Sequence, residues 1–198
     1  MSRVRTSAFA AVMLSVFAGC ASSPPSYRDP FTNVVIDVAP IEITDIDGVT
    51  RRLFLDGRVY VSGQPSYEAL VELAGRGVTA VVNLRTPKEM DDREKMPFDE
   101  AALADSLGLD YVSLPLGGAD HPYRPSVLSG LDEVLHNHDG LVLVHCLSGG
   151  RASYAWAGYL IRHRGWSVDD GLRRGMAIGI ADHPLQGLLD RELTLKDR

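Results

Sequence analysis

The chain has 198 residues, 45% of them apolar, with 20 basic against 26 acidic side chains and a formal charge of −6. That length and apolar content suit one domain able to bury an ample core. The acidic balance speaks against nucleic acid as a partner, and no internal repeat suggests a solenoid.

The first residues read as a targeting segment. Arg3 and Arg5 precede an apolar stretch over residues 8–18, too short for a bilayer core that needs roughly 20 residues. Phe17-Ala18-Gly19-Cys20 follows and resembles the bacterial lipoprotein signal, with phenylalanine where leucine is more usual. The resemblance implies cleavage before Cys20, lipid on its thiol and anchoring on the periplasmic side of the cell envelope. Ala21, in place of an inner-membrane retention aspartate, points to the outer membrane. The alternative is a plain secreted protein with Cys20 incidental. Residues 1–19 are thus expected as signal, 20–32 as a Ser/Pro-rich tether, and 33–198 as a single domain. Cys146 is then a lone thiol in an oxidising compartment, which suggests a cysteine kept for chemistry.

Residues 34–38, 52–55 and 59–61 are short alternating or β-branched runs. With Asp47-Gly48 and Asp56-Gly57 as turns, they predict a small N-terminal β extension. Ser66 caps a helix whose inward face is Tyr67, Leu70, Val71 and Ala74, ending before Gly77. Residues 78–84 form a near-continuous apolar strand. A helix over 98–107 stops at Gly108, and 111–116 is the next strand. Ser126 caps a third helix that turns Val127, Leu131, Val134 and Leu135 inward. Residues 141–144 read as a buried strand, and 152–161 as a helix too apolar for the surface. This alternation predicts an α/β fold, a central, mostly parallel sheet with helices on both faces. Ligands of such sheets bind beyond the carboxyl ends of the strands.

One of those ends carries His145-Cys146-Leu147-Ser148-Gly149-Gly150-Arg151. A cysteine at a strand end, a small-residue loop and a helix N-terminus form an anion site, because loop N–H groups converge and the helix dipole adds positive potential. The glycines let the backbone curl, and Arg151 can fork onto two oxygens of a tetrahedral anion. The same field favours thiolate over thiol, making Cys146 a nucleophile aimed at phosphorus or sulfur. The competing reading is a structural cysteine ending a core strand, which leaves His145, the glycine pair and the arginine unexplained.

Val61-Ser62-Gly63-Gln64-Pro65-Ser66, Val81-Val82-Asn83-Leu84-Arg85 and the His145–Arg151 loop together resemble the phosphatase-like domain of the beta-lactamase hydrolase-like family. That domain belongs with the cysteine-dependent tyrosine and dual-specificity phosphatases. The resemblance spans residues 57–180 and implies Cys146 as nucleophile, Arg151 on the phosphoryl oxygens, and Leu147, Ser148, Gly149 and Gly150 as the anion cradle. It implies a phosphorylated substrate and no cofactor or metal. Two positions depart from the common pattern. Four residues rather than five separate Cys146 from Arg151, a length also seen in rhodanese sulfurtransferases. Ala152 stands where a serine or threonine usually assists turnover, with Ser153 one position later.

Phosphate ester cleavage also needs an acid for the leaving oxygen. Asp120, in the loop 117–122 after a strand, is the candidate, with His121 second. Arg85 either positions an anionic substrate or pairs with Glu89, and Gln64 points toward the site from the first strand-to-helix loop. His145 is expected beneath the catalytic loop, favouring the thiolate rather than carrying protons. His136 and His138, two residues apart, do not share a helical face for a metal. Tyr154, Trp156 and Tyr159 are expected in the core. Three functions remain open: phosphomonoester hydrolysis through a cysteinyl phosphate, sulfur transfer through a Cys146 persulfide, and anion binding without turnover.

Overall fold

The computed structural model describes residues 39–179 and 185–191, together with the backbone of Tyr27–Arg28 and Val35–Ile36. The signal segment, Cys20 and all of the expected tether except Tyr27 and Arg28 lie outside the described residues. Those two residues form a short strand, β1 (Tyr27–Arg28), paired antiparallel with β2 (Val35–Ile36).

The main sheet has six strands. β3 (Ile41–Ile43), β4 (Leu53–Asp56) and β5 (Val59–Ser62) run antiparallel, joined at β4–β5 by the two-residue Gly57-Arg58 turn. The β extension expected from the sequence is therefore the antiparallel edge of the central sheet. β5 continues in parallel into β8 (Leu141–His145), β6 (Val78–Asn83) and β7 (Asp110–Ser113), in the order β3-β4-β5-β8-β6-β7. Strands covered on both faces should read as continuous apolar runs, and these do. Val59, Val61, Ala80, Val82, Val142 and Val144 face one core; Tyr60, Val81 and Leu143 face the other. No helix of the described residues is long and apolar enough to cross a membrane.

One face carries α1 (Tyr67–Gly75) and α3 (Glu100–Ser106), the other α4 (Pro125–Asn137), α5 (Gly150–His163) and α7 (Leu185–Leu189), with α6 (Val168–Ile178) packed on α5. A single-turn α2 (Pro87–Met90) precedes α3. Ser66 caps α1 by accepting from the Ala69 N–H, as expected. The buried face of α1, however, is Ala69, Leu70 and Leu73, while Tyr67 and Val71 are exposed. Leu70 belongs to both stripes, and the observed rotation exchanges Tyr67 and Val71 for Ala69 and Leu73. α4 begins one residue before the expected Ser126 cap, with Pro125 in the first helical turn after Arg124. Its missing N–H costs nothing there. Val127, Leu131, Val134 and Leu135 all point inward.

Candidate active site

The register of the parallel strands assembles the site. Ser62 of β5, His145 of β8 and Asn83 of β6 lie in one row at the carboxyl edge. The residues that follow them therefore converge: Gln64 after β5, Arg85 after β6 and Cys146 after β8. Main-chain bonds fix the loops together. Cys146 N donates to Ser62 O at 3.3 Å, Gln64 N to Leu147 O at 3.1 Å and Leu84 N to His145 O at 2.9 Å. Cys146 is free, and its side chain is buried. Gly149 is left-handed at φ 88°, a conformation open to glycine, and its N–H points at Cys146 Sγ from 3.2 Å. Gly150 opens α5, so the sulfur lies at a helix N-terminus beneath the exposed Leu147 and Ser148.

Arg151 does fork onto a carboxylate pair of oxygens, and the carboxylate is Glu89. Nη1 donates to Oε2 at 2.8 Å and Nη2 to Oε1 at 2.6 Å, while Nη1 also reaches Leu116 O at 2.6 Å. The remaining N–H groups of the guanidinium are those that can meet the Cys146 sulfur and a bound anion. Burial works against the Arg151 charge, yet Glu89 and the Cys146 sulfur hold it above its ordinary value. Burial likewise pushes the Glu89 carboxyl up, but Arg151 and the Thr86 N–H outweigh it and hold it at about 2. Thr86 and Glu89 close a capping box around α2, which presets the carboxylate before Arg151 arrives.

Arg85 is 1% exposed, and its contact with the Glu89 carboxylate is long, 3.9 Å from Nε to Oε1. Its closer bonds run from Nη1 to Gln64 Oε1 at 2.7 Å and from Nη2 to the Glu89 main-chain O at 3.0 Å. The Gln64 amide in turn donates to Glu100 Oε1 at 2.6 Å. Glu100 is 2% exposed at the start of α3 and also receives Asn83 Nδ2 at 3.1 Å and Tyr111 OH at 3.0 Å. Burial and the Glu100 charge push the Tyr111 phenol well up. His145 Nε2 stands 3.2 Å from Glu100 Oε2, slightly off the hydrogen-bond direction, with both side chains fully buried. A continuous polar layer thus lies under the Cys146–Arg151 loop.

Asp120 is exposed near the tip of a loop closed by the Gly117 N–H to His121 O bond at 2.7 Å. The base of that loop is pinned to Arg151 through Leu116 O. Ser153 is buried and donates to Gly149 O at 2.8 Å, bracing the loop backbone. Tyr123 lies within charge range of the site: burial raises its phenol, Arg151 opposes this, and Cys146 and Glu89 add to it. His136 and His138 face different acids, Asp132 and Asp110. Tyr154, Trp156 and Tyr159 are in the core.

Glu100 and Tyr123 are the neighbours that sequence reading missed, and Glu89, expected only as a partner for Arg85, was missed as the partner of Arg151. For Glu89 a signal existed, the Thr86-Pro87-Lys88-Glu89 capping pattern. Glu100 reads as an ordinary solvated acid in a first helical turn, and nothing local marks Tyr123.

Among known proteins, the beta-lactamase hydrolase-like protein of Xylella fastidiosa strain 9a5c is 30% identical over 107 residues, 54% of this chain and 24% of that protein. The chain therefore spans about a quarter of the length of that relative. A crystal structure of a phosphatase of Shewanella putrefaciens CN-32 superposes with TM-score 0.56 at 25% identity, covering 73% of this chain and 92% of the other. TpbA of P. aeruginosa, solved in complex with pTyr, shares the fold with TM-score 0.50 at 21% identity, covering 74% and 96%. The family model for the beta-lactamase hydrolase-like protein, phosphatase-like domain, matches residues 52–160, from β4 to the buried turns of α5. With the Cys146–Arg151 loop inside that span and the sheet of a cysteine phosphatase around it, the chain belongs to this phosphatase-like family.

Proposed function

We propose that the protein hydrolyses phosphomonoesters through a cysteinyl-phosphate intermediate. The observation that carries this reading is Cys146 Sγ at the floor of a loop whose Gly149 N–H points at it, beside an Arg151 held in place by Glu89. The thiolate attacks phosphorus in line and the P–O bond to the leaving group breaks. Asp120 delivers its proton to the departing oxygen and then takes one from the water that cleaves the S–P bond, which restores the thiolate and releases inorganic phosphate. Loop N–H groups and the remaining N–H groups of Arg151 stabilise the equatorial oxygens. The pTyr complex of the fold relative TpbA supports an aryl phosphate as the first substrate to offer.

The test is a parallel assay of the purified protein and Cys146→Ser on an aryl phosphate and on thiosulfate with cyanide. Phosphate release that disappears in the variant is expected. Thiosulfate turnover with a silent phosphate channel would instead establish the persulfide chemistry that a four-residue loop favours. Silence in both assays would leave anion binding alone.

The same proposal places the domain on the periplasmic side of the cell envelope, held by lipid on Cys20 in the outer membrane. Wild-type protein should fractionate with membranes, and Cys20→Ser should release or leave it unprocessed. Wild-type protein recovered from the cytoplasm would overturn the anchor.

A further inference from the structure

A groove opens beside the anion cradle, and the chemistry proposed above makes no use of it. Its inner wall is the turn that braces the Cys146–Arg151 loop. Gln64 N donates to Leu147 O at 3.1 Å, and Gly63 bridges to Ser148. The turn therefore lies one chain-width, roughly 5 Å, from the loop. The groove holds about 410 Å³ between this turn, the start of α1 and residues 95–98 ahead of α3. Pro65 and Tyr67 line it from the α1 side, and Met96, Pro97 and Phe98 from the other. Tyr67 meets Phe98 edge to face, with ring centroids 5.9 Å apart at 81°, yet it stays 50% exposed. Half of the ring is thus left to meet a third group. Leu147, next to Cys146 in the loop, is another apolar side chain open to solvent, at 42%.

Charge narrows what can enter. Glu68 and Lys95 are the charged residues that line the groove. Lys95 Nζ is tied to Asp92 at 2.6 Å, whereas the Glu68 carboxylate meets a neutral donor, the Ser66 hydroxyl, at 3.1 Å. The groove leans negative beside a cradle shaped for an anion. A second anionic group on the substrate is repelled there, and a neutral ring is not.

We propose that this groove is a substrate subsite, and that it takes the neutral aromatic side chain next to the phosphorylated residue of a peptide. The inference rests on the phosphatase reading and deepens it by naming the substrate class. Consecutive Cα atoms are about 3.8 Å apart, so a neighbouring ring can fold back alongside the phosphorylated one and reach the groove. An aliphatic chain would fill the same space, but only a ring gains the edge-to-face contact that the Tyr67–Phe98 pair offers.

The test uses two blocked phosphotyrosine peptides that differ only in carrying phenylalanine or alanine on both sides of the phosphotyrosine. p-Nitrophenyl phosphate serves as a substrate too small to span both sites. On wild-type protein, kcat/KM for the phenylalanine peptide should exceed that for the alanine peptide about tenfold. Tyr67→Ala should cut this ratio to about two, while p-nitrophenyl phosphate turnover stays within about twofold of wild type. Tyr67→Phe keeps the ring and should keep the ratio. Aspartate in place of the flanking phenylalanines should fall below alanine, and Glu68→Gln should recover about threefold of that loss. Equal rates on the phenylalanine and alanine peptides, or a preference that survives Tyr67→Ala, would overturn the subsite. A short-chain phosphatidic acid, used below its micelle concentration, probes the other class. If it is preferred over both peptides and Tyr67→Ala removes that preference, the groove holds an acyl chain and the peptide assignment is wrong. Calorimetric titration of both peptides onto Cys146→Ser gives the ranking without turnover. A protein inert on p-nitrophenyl phosphate would thus fail the phosphatase reading, while tighter binding of the phenylalanine peptide would uphold the groove and equal or absent binding would overturn it.

Discussion

Two buried acids sit at opposite edges of the sheet, Asp56 beside the amino ends of the parallel strands and Glu100 beneath their carboxyl ends, and they have opposite surroundings. Asp56, at the end of β4, takes Arg174 Nη2 on Oδ1 at 2.7 Å and both Arg174 Nε and Trp156 Nε1 on Oδ2, at 2.8 and 2.7 Å. Bidentate geometry plus the indole donor saturates the carboxylate and ties β4, α5 and α6 into one unit. Glu100 is as deeply buried, but its layer keeps polar atoms without a bonded partner, Arg85 Nε and both His145 ring nitrogens. One of those residues, His145, directly precedes Cys146 in the chain. A saturated buried pair holds a fold in one arrangement; an unsaturated one retains the freedom to move a proton or meet a ligand.

The sharpest way to break this contrast is at Asp56. Asp56→Ala removes the bidentate carboxylate from a buried guanidinium and should cost ~3–5 kcal/mol of stability, read from urea or thermal melts, with kcat/KM per folded molecule unchanged. A loss of activity at constant stability would erase the distinction. Arg151→Ala is the converse: a fall in kcat/KM for aryl phosphate of about 10²–10³-fold, with a stability loss of no more than the roughly 1–2 kcal/mol carried by its pair with Glu89. Arg151→Lys should recover only a small part, since it keeps the charge and loses the planar array of donors. Asp120→Asn should slow esters with poor leaving groups by about 10–100-fold and activated aryl esters much less, leaving alkylation of Cys146 and its protection by phosphate intact.

The smallest effect expected is at Glu89. Its carboxyl falls from 4.5 to about 2 in the folded protein. A depressed folded value means stability that is fully present above 4.5 and is lost as pH falls through 2. Glu89→Gln should therefore be less stable than wild type by roughly 1–2 kcal/mol at pH 7, with the gap closing between pH 4.5 and 2. A gap that stayed constant through that window would mean that the Glu89–Arg151 charge pair contributes nothing.

The parts legible in the sequence were those in which neighbouring residues do the same job. β5, β6 and β8 are apolar on both faces, so their runs need no partner to be recognised. Cys146, Gly149 and Arg151 fall in one loop, so their chemistry shares one stretch of chain. What escaped was built across distance. Asp56 and Arg174 are 118 residues apart, and Gln64 and Glu100 are 36 apart. α6 was hidden by Gly171 and Gly175, which weaken a helical pattern. In the fold Gly171 is a contact residue: a Cβ there would lie 2.5 Å from Ile161 Cγ1, so its absence permits the close α5–α6 approach. The rotation of α1 was lost because Tyr67 and Val71 are apolar yet face out, and apolar surface is common enough to blur a stripe.

Gly63 is squeezed between two segments that a family boundary would separate. A Cβ on it would come within 2.0 Å of Thr50 O and 3.1 Å of Leu147 O. Thr50 N also donates to Gln64 O at 2.9 Å, and Ser66 N to Gly48 O at 2.7 Å. The residues just ahead of the family-matched module, which starts at position 52, are thus laced to the turn that holds the Cys146–Arg151 loop. Anyone cutting or grafting this module at that boundary would strip the outer wall from Gln64 and leave main-chain groups beside the loop without partners. For protein engineering, the portable unit is longer than the evolutionary one, and it begins before Gly48.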